Sequence, residues 1–280
     1  MIGQKILIQK LFHQIDNGKF PRFSILIGEQ GSGKKTLCYV IANRLGCVVS
    51  PVSNKIDTVR EMIDTAYKVD LPVLYMLSDC DNMSNNSANA LLKVIEEPPK
   101  NAYFVITCES ADNLLTTIKS RGVSYMLEPY TYDEKCDFVE SIQSRFELSV
   151  ETLNRDDYDF LLDVCSVPGE IESLLAADIS AFSDYVNLVI DNIAEVSGSN
   201  AFKISEKIAL KDEDDKFSLK LFWKAFNVVC ADRMLSDNEP LKYARVVALT
   251  GDYLQQLHIR GINKQMLFDS WILDVREEWL

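Results

Sequence analysis

Apolar residues along the first 128 positions collect in five short runs rich in β-branched and aromatic side chains: Phe23–Ile27, Cys47–Val49, Val73–Leu77, Tyr103–Thr107 and Ser124–Leu127. Near-continuous runs of this kind mark strands of a parallel sheet covered on both faces, where neither side of the strand meets water. Between them the period changes. Lys34–Leu45, Asp57–Val69 and Ser84–Glu96 place apolar residues three and four apart, and Pro98-Pro99 stops the last of these segments. Alternating strands and helices predict a three-layer α/β domain over residues 1–128, with right-handed crossovers.

Beyond Glu128-Pro129 the strand signal disappears. Helices are expected at about 131–146, 156–164 and 169–177, interrupted at Val167-Pro168-Gly169, which makes 129–178 a small helical domain. Residues 179–280 read as an all-α domain with long amphipathic stretches near 181–196, 216–234 and 240–258. Ser197–Asn200 and the acidic Asp212–Asp215 are its expected loops.

Composition narrows the class of protein. The 280 residues are 47% hydrophobic and 25% charged, as in a globular chain with more than one core. No run approaches the roughly 18 apolar residues of a membrane span, and Met1-Ile2-Gly3-Gln4-Lys5 does not resemble a secretory leader, so a cytoplasmic protein with no membrane association is expected. Seven dispersed cysteines form no Cys-x-x-Cys pair and are joined by just two histidines, which predicts buried free thiols and neither zinc nor a disulfide framework. A formal charge of −13 repels nucleic-acid phosphate, so contact with DNA has to be local or made by a larger assembly.

Candidate chemistry begins at Gly28-Glu29-Gln30-Gly31-Ser32-Gly33-Lys34, which follows the first strand and opens a helix. In that setting Gly28, Gly31 and Gly33 let backbone N–H groups turn inward around phosphates, Ser32 lies within the cradle, and Lys34 reaches the β- and γ-phosphates. The next position calls for a Ser or Thr hydroxyl on Mg²⁺, and here it is Lys35. Thr36 comes one residue later, turned by about 100° around the helix. Two readings stay open: an inherited loop that no longer binds Mg-ATP, and weak ATP or ADP binding without efficient hydrolysis.

A second nucleotide motif points the same way. Its apolar strand should end in two carboxylates, one for the metal and one for water, whereas Val73–Leu77 runs into Ser78-Asp79-Cys80-Asp81. Ser78 then stands at the metal carboxylate and Asp79 at the second acid, although a slip of register would make Asp79 the metal ligand.

The stretch Ala88-Asn89-Ala90-Leu91-Leu92-Lys93 with Glu96-Glu97-Pro98-Pro99, and Leu114–Gly122 with its Thr-Ile-x-Ser-Arg segment, closely resemble the AAA+ clamp-loader family, in particular the bacterial DNA polymerase III delta-prime type. Ile2-Gly3-Gln4 and Gly18–Arg22 resemble the family's opening, so the resemblance spans most of residues 1–128. It implies a P-loop AAA+ domain, a helical lid over 129–178 and a C-terminal helical collar over 179–280. It also implies that Arg121 is an arginine finger pointing at a neighbouring subunit's γ-phosphate. The chain departs from the pattern at Gly122, where the family carries Cys, and at Glu170, where motor subunits carry a nucleotide-sensing Arg. It also has no four-cysteine zinc module.

The role implied is that of a clamp-loader subunit in a five-subunit ring, which places a sliding clamp on primed DNA and completes a neighbour's ATP site while its own is degenerate. Lys93, Lys100 and Lys119 are candidate phosphate contacts. Two alternatives remain: an ATP-hydrolysing motor subunit that recruits Thr36 and Asp79, and a non-replicative AAA+ adaptor.

Overall fold

The computed structural model describes residues 2–143, 153–195, 208–209, 217–236, 240–257, 259 and 261–280. The expected loops at 197–200 and 212–215, and the ends of three expected helices at 144–146, 196 and 258, lie outside the described residues. The chain divides into two compact units, one of residues 1–138 with 167–169 and one of residues 139–166 with 170–280.

The first unit is a three-layer α/β domain. Its strands β1 (Phe23–Ile27), β2 (Val48–Val52), β3 (Val73–Leu77), β4 (Ala102–Cys108) and β5 (Val123–Met126) form one sheet in the order β2-β3-β4-β1-β5, every pair parallel. Strand alternation sends Phe23, Ile25, Ile27, Tyr75, Leu77, Phe104 and Ile106 into a core with helices α3 (Ile56–Ala66) and α4 (Asn85–Glu96). Leu26, Leu74, Met76 and Val105 face the other way, toward α1 (Lys5–Asp16) and α2 (Lys34–Leu45). Each such fully buried aliphatic contributes about 1.5–3 kcal/mol over exposure, so a strand with two apolar faces is stable only between two helical layers.

The local deviations from expectation have physical causes. Strand β2 runs past its expected end at Val49, through Pro51 to Val52, because it lies at the sheet edge and a proline there leaves no ladder bond unmade on the open side. Helix α3 stops at Ala66 and not at Val69, since the N–H groups of Lys68 and Val69 both turn back to the Thr65 carbonyl. Helix α1, which is not among the helices that the pattern predicts, buries Leu7 and Leu11. Ser84, expected inside α4, is its N-cap and accepts a bond from Ser87 N at 3.1 Å.

Helix α5 (Thr116–Lys119) leads to β5, and α6 (Tyr132–Gln143) follows the sheet. The second unit holds α7 (Arg155–Val164), α8 (Pro168–Leu175), α9 (Ile179–Asp191), α10 (Leu219–Ser236), α11 (Pro240–Gln256) and α12 (Lys264–Trp279). A pair of two-residue parallel strands, β6 (Ile208–Ala209) and β7 (Phe217–Ser218), accompanies these helices. Phe222, Trp223, Phe226, Phe268 and Trp271 fill its centre with no more than 0% exposure each, with ring centroids 5.0 Å apart for Phe226 and Trp271. Trp271 Nε1 donates to Thr250 Oγ1 at 3.0 Å, which satisfies the buried indole N–H.

Candidate functional site at the ends of the parallel strands

The phosphate-type loop lies at the carboxyl end of β1, where open parallel sheets hold ligands. Its shape is fixed by backbone bonds and by two glycines in the left-handed region, Gly31 at φ 83° and Gly33 at φ 88°; Gly33 is the N-cap of α2. Gly28 N donates to Cys108 O at 3.1 Å, joining the loop to β4. Lys34 is buried, and its Nζ donates to the loop's own carbonyls, Gly28 O at 2.6 Å and Glu29 O at 2.8 Å. Burial holds this ammonium below the usual lysine range, against the opposing pull of Glu109, Asp79 and Asp81.

Other loop carbonyls are engaged as well. Tyr130, not foreseen from the sequence, donates its hydroxyl to Ser32 O at 2.9 Å. Gly169 N donates to Gly31 O at 3.0 Å, and the two glycines touch so closely that a Cβ on Gly169 would lie 2.6 Å from Gly31 Cα. Ser32 Oγ is buried with no hydrogen-bond partner. Gln4, quoted above as a family marker alone, closes the domain: its side-chain amide exchanges bonds of 2.7 and 2.9 Å with the backbone of Glu128.

At the metal position the expected substitutions meet one another. Lys35 Nζ lies 3.8 Å from Asp79 Oδ2, with both side chains more than half exposed (60% and 66%), and Thr36 is exposed on α2. Asp79 adopts φ 56°, donates its N–H to Thr107 Oγ1 at 3.2 Å and accepts Asn54 Nδ2 at 2.9 Å. Asp81 is occupied elsewhere: it accepts Glu109 N at 2.8 Å, Ser110 N at 3.1 Å and Asn113 Nδ2 at 3.3 Å, tying the loop after β3 to the loop after β4. These glycines and Lys34 are the residues that would hold a phosphate, while at the position that calls for a magnesium-ligating hydroxyl an ammonium stands 3.8 Å from the Asp79 carboxylate.

Arg121 sits in the turn between α5 and β5. Its Nη2 is 2.5 Å from Glu96 Oε1, its Nη1 donates to Thr117 O at 2.8 Å, and the side chain is 35% exposed. Gly122 follows in a tight place: a Cβ would lie 2.7 Å from the Ile25 side chain and 2.8 Å from the Phe23 ring, so those side chains would have to shift. Gly122→Cys, which restores the family residue, is therefore expected to cost about 1–3 kcal/mol. A lowered urea midpoint would register this, and an unchanged midpoint would mean that β1 yields without cost.

Elsewhere, Glu170 accepts Ser166 N at 2.9 Å and Lys224 Nζ at 2.8 and 2.9 Å, with Lys220 Nζ at 3.4 Å. That is a charge-paired acid in the first turn of a helix, where a carboxylate is favoured. Lys93 and Lys100 are exposed, while Lys119 reaches Asp112 at 3.4 Å. Five cysteines are buried and Cys47 and Cys136 are half-buried; burial pushes the thiols of Cys38, Cys108 and Cys230 up to about 12, which keeps them protonated. Among the described residues no single helix is long and apolar enough to cross a membrane, and no cluster of His, Cys, Asp and Glu is arranged to hold a metal.

The sequence model of the DNA polymerase III, delta subunit family matches residues 52–131. Among curated proteins the chain is 23% identical over 248 residues to DNA polymerase III subunit gamma of Buchnera aphidicola subsp. Acyrthosiphon pisum, covering 76% of this chain and 67% of that one. It is 22% identical over 249 residues to subunit gamma/tau of Mycoplasma genitalium, covering 78% of this chain but 38% of the relative. The chain is thus similar to DNA polymerase III clamp-loader subunits. A gamma subunit-related protein of Thermotoga maritima shares the fold at TM-score 0.51 and 16% identity, covering 98% of this chain and 99% of that one. A RuvB mutant of the same organism shares it at TM-score 0.53 and 15% identity, over 98% and 88% of the two chains. The β3–α4 and α5–β5 segments both lie inside the matched span.

Proposed function

We propose that this chain is a delta-prime-type clamp-loader subunit, which supplies Arg121 to a neighbouring subunit's ATP and does not hydrolyse nucleotide in its own loop. The observation that carries the proposal is the Lys35–Asp79 pair, an ammonium and carboxylate joined where a magnesium ion would need both positions. Lys34, held on Gly28 O and Glu29 O, gives the loop a shape that needs no triphosphate. ATP or ADP in this loop is then weakly bound or absent, and turnover belongs to the partner.

The partners on this reading are other clamp-loader subunits in a five-subunit ring, a sliding clamp, and primed DNA held by the assembly rather than by a chain of charge −13. Residues 129–178 would act as the lid and 179–280 as the collar that holds the ring, with the whole assembly in the cytoplasm.

The two curated relatives described above bear the name gamma or gamma/tau, which favours a second reading: a motor subunit that hydrolyses ATP itself. Lys34→Ala separates the two. In the reconstituted assembly with clamp and primed DNA, this variant is expected to leave steady-state ATPase near the wild-type rate. Loss of most of the turnover, together with tight magnesium-dependent ATP binding by the isolated chain, would assign the motor role instead.

A further inference from the structure

The guanidinium of Arg121 is turned back onto its own domain. Both terminal nitrogens are engaged, Nη2 by Glu96 at 2.5 Å and Nη1 by the Thr117 carbonyl at 2.8 Å, with Ser120 Oγ 3.5 Å from Nη1. Glu96 is the last residue of α4, where the helix dipole presents its negative end and a carboxylate is disfavoured unless a cation faces it. Its place is fixed by the helix stop at Glu97-Pro98-Pro99, with Glu97 O accepting the Tyr67 hydroxyl at 3.2 Å. A carboxylate and a phosphate present the same kind of oxygen pair to a planar guanidinium. Glu96 thus occupies the anion position that an arriving phosphate would take.

We propose that Glu96 is the positioning residue of Arg121: it holds the guanidinium in the free subunit and yields it when the γ-phosphate of a neighbour's nucleotide comes within reach. This rests on the reading of Arg121 as an arginine finger acting in trans. The exchange is easy because the pair is open to water, at 35% and 48% exposure, and such pairs are weak. Phosphate carries more charge than carboxylate and wins the cation, while Glu96 keeps the finger from engaging other anions. The pair sets how much ATP the neighbour needs before its site is complete.

The test uses the full-length chain, alone and in the reconstituted assembly with clamp and primed DNA. By nitrogen NMR of the free chain, rotation of the Arg121 guanidinium should be slowed in the wild type and fast in Glu96→Gln. In the assembly, Glu96→Gln should lower the KM for ATP about two- to fivefold, the size of an exposed ion pair, with kcat unchanged. On an Arg121→Ala background the same substitution should do nothing, since a coupling that needs both partners vanishes when one is gone. If Arg121→Ala abolishes turnover but Glu96→Gln leaves KM unchanged or raises it, the handover is wrong and the finger stands. If Arg121→Ala leaves turnover intact, the finger reading fails and takes the role of Glu96 with it.

Discussion

Arg121→Ala is expected to lower the ATPase rate of the reconstituted assembly by about 10³-fold or more, the span reported for arginine fingers in general. The reason is electrostatic. As the γ-phosphoryl group separates, negative charge spreads over its oxygens, and a planar cation with several donors can bridge that charge at little cost in reorganisation. A 10³-fold loss corresponds to about 4 kcal/mol of transition-state stabilisation. Folding should be spared, because the side chain is about a third exposed and its partners are an exposed carboxylate and a backbone carbonyl at the protein surface. Arg121→Lys should recover little, as a point charge cannot span two oxygens. Equal urea midpoints with a collapsed rate would establish the finger; an unchanged rate would leave Arg121 as the surface partner of Glu96 and nothing more.

How far the sequence discloses this site depends on whether a feature is local. The strands β1 and β3, and helix α2, lie where their apolar patterns put them, since period and burial coincide there. Lys35 in place of a hydroxyl is equally legible, being a matter of residue type at a motif position. The ion pair that Lys35 makes with Asp79 is not, because it joins residues 44 apart whose approach is set by the sheet order. The same holds for Tyr130 on Ser32, Gln4 on Glu128 and Glu96 on Arg121. Asp81 is instructive: the motif reading gives it no role, yet it accepts three donors from the segment after β4. Gly122 reads as a departure from a family pattern, whereas in the structure a larger residue there would have to displace Ile25 and Phe23.

Trp271→Ala should be the most damaging change in the second unit. The indole is fully buried, 5.0 Å from Phe226, 5.7 Å from Phe222, 5.6 Å from Trp223 and 5.4 Å from Phe268, so its removal opens a cavity that four large rings cannot close without leaving their rotamers. Losses for such truncations run to about 3–5 kcal/mol. Thr250 Oγ1 would also lose its donor, although it still donates to Val246 O at 2.8 Å, so the penalty is mainly that of the cavity. Thr250→Val probes the converse: with the rings kept, an indole N–H left unpaired in a dry core costs about 1–3 kcal/mol. Trp279→Ala is the control, since that ring packs on Tyr243 near the surface and should cost less. Because the chain divides into two compact units, amide exchange under mild urea should show Trp271→Ala opening α10, α11 and α12 while the parallel sheet stays protected. Were the collar role also right, the variant would fall out of the assembly with Arg121 untouched, and adding wild-type collar helices in trans would not restore turnover. Protection lost evenly from both units would instead mean that sheet and helical bundle unfold together, and that the division at residue 138 has no energetic counterpart.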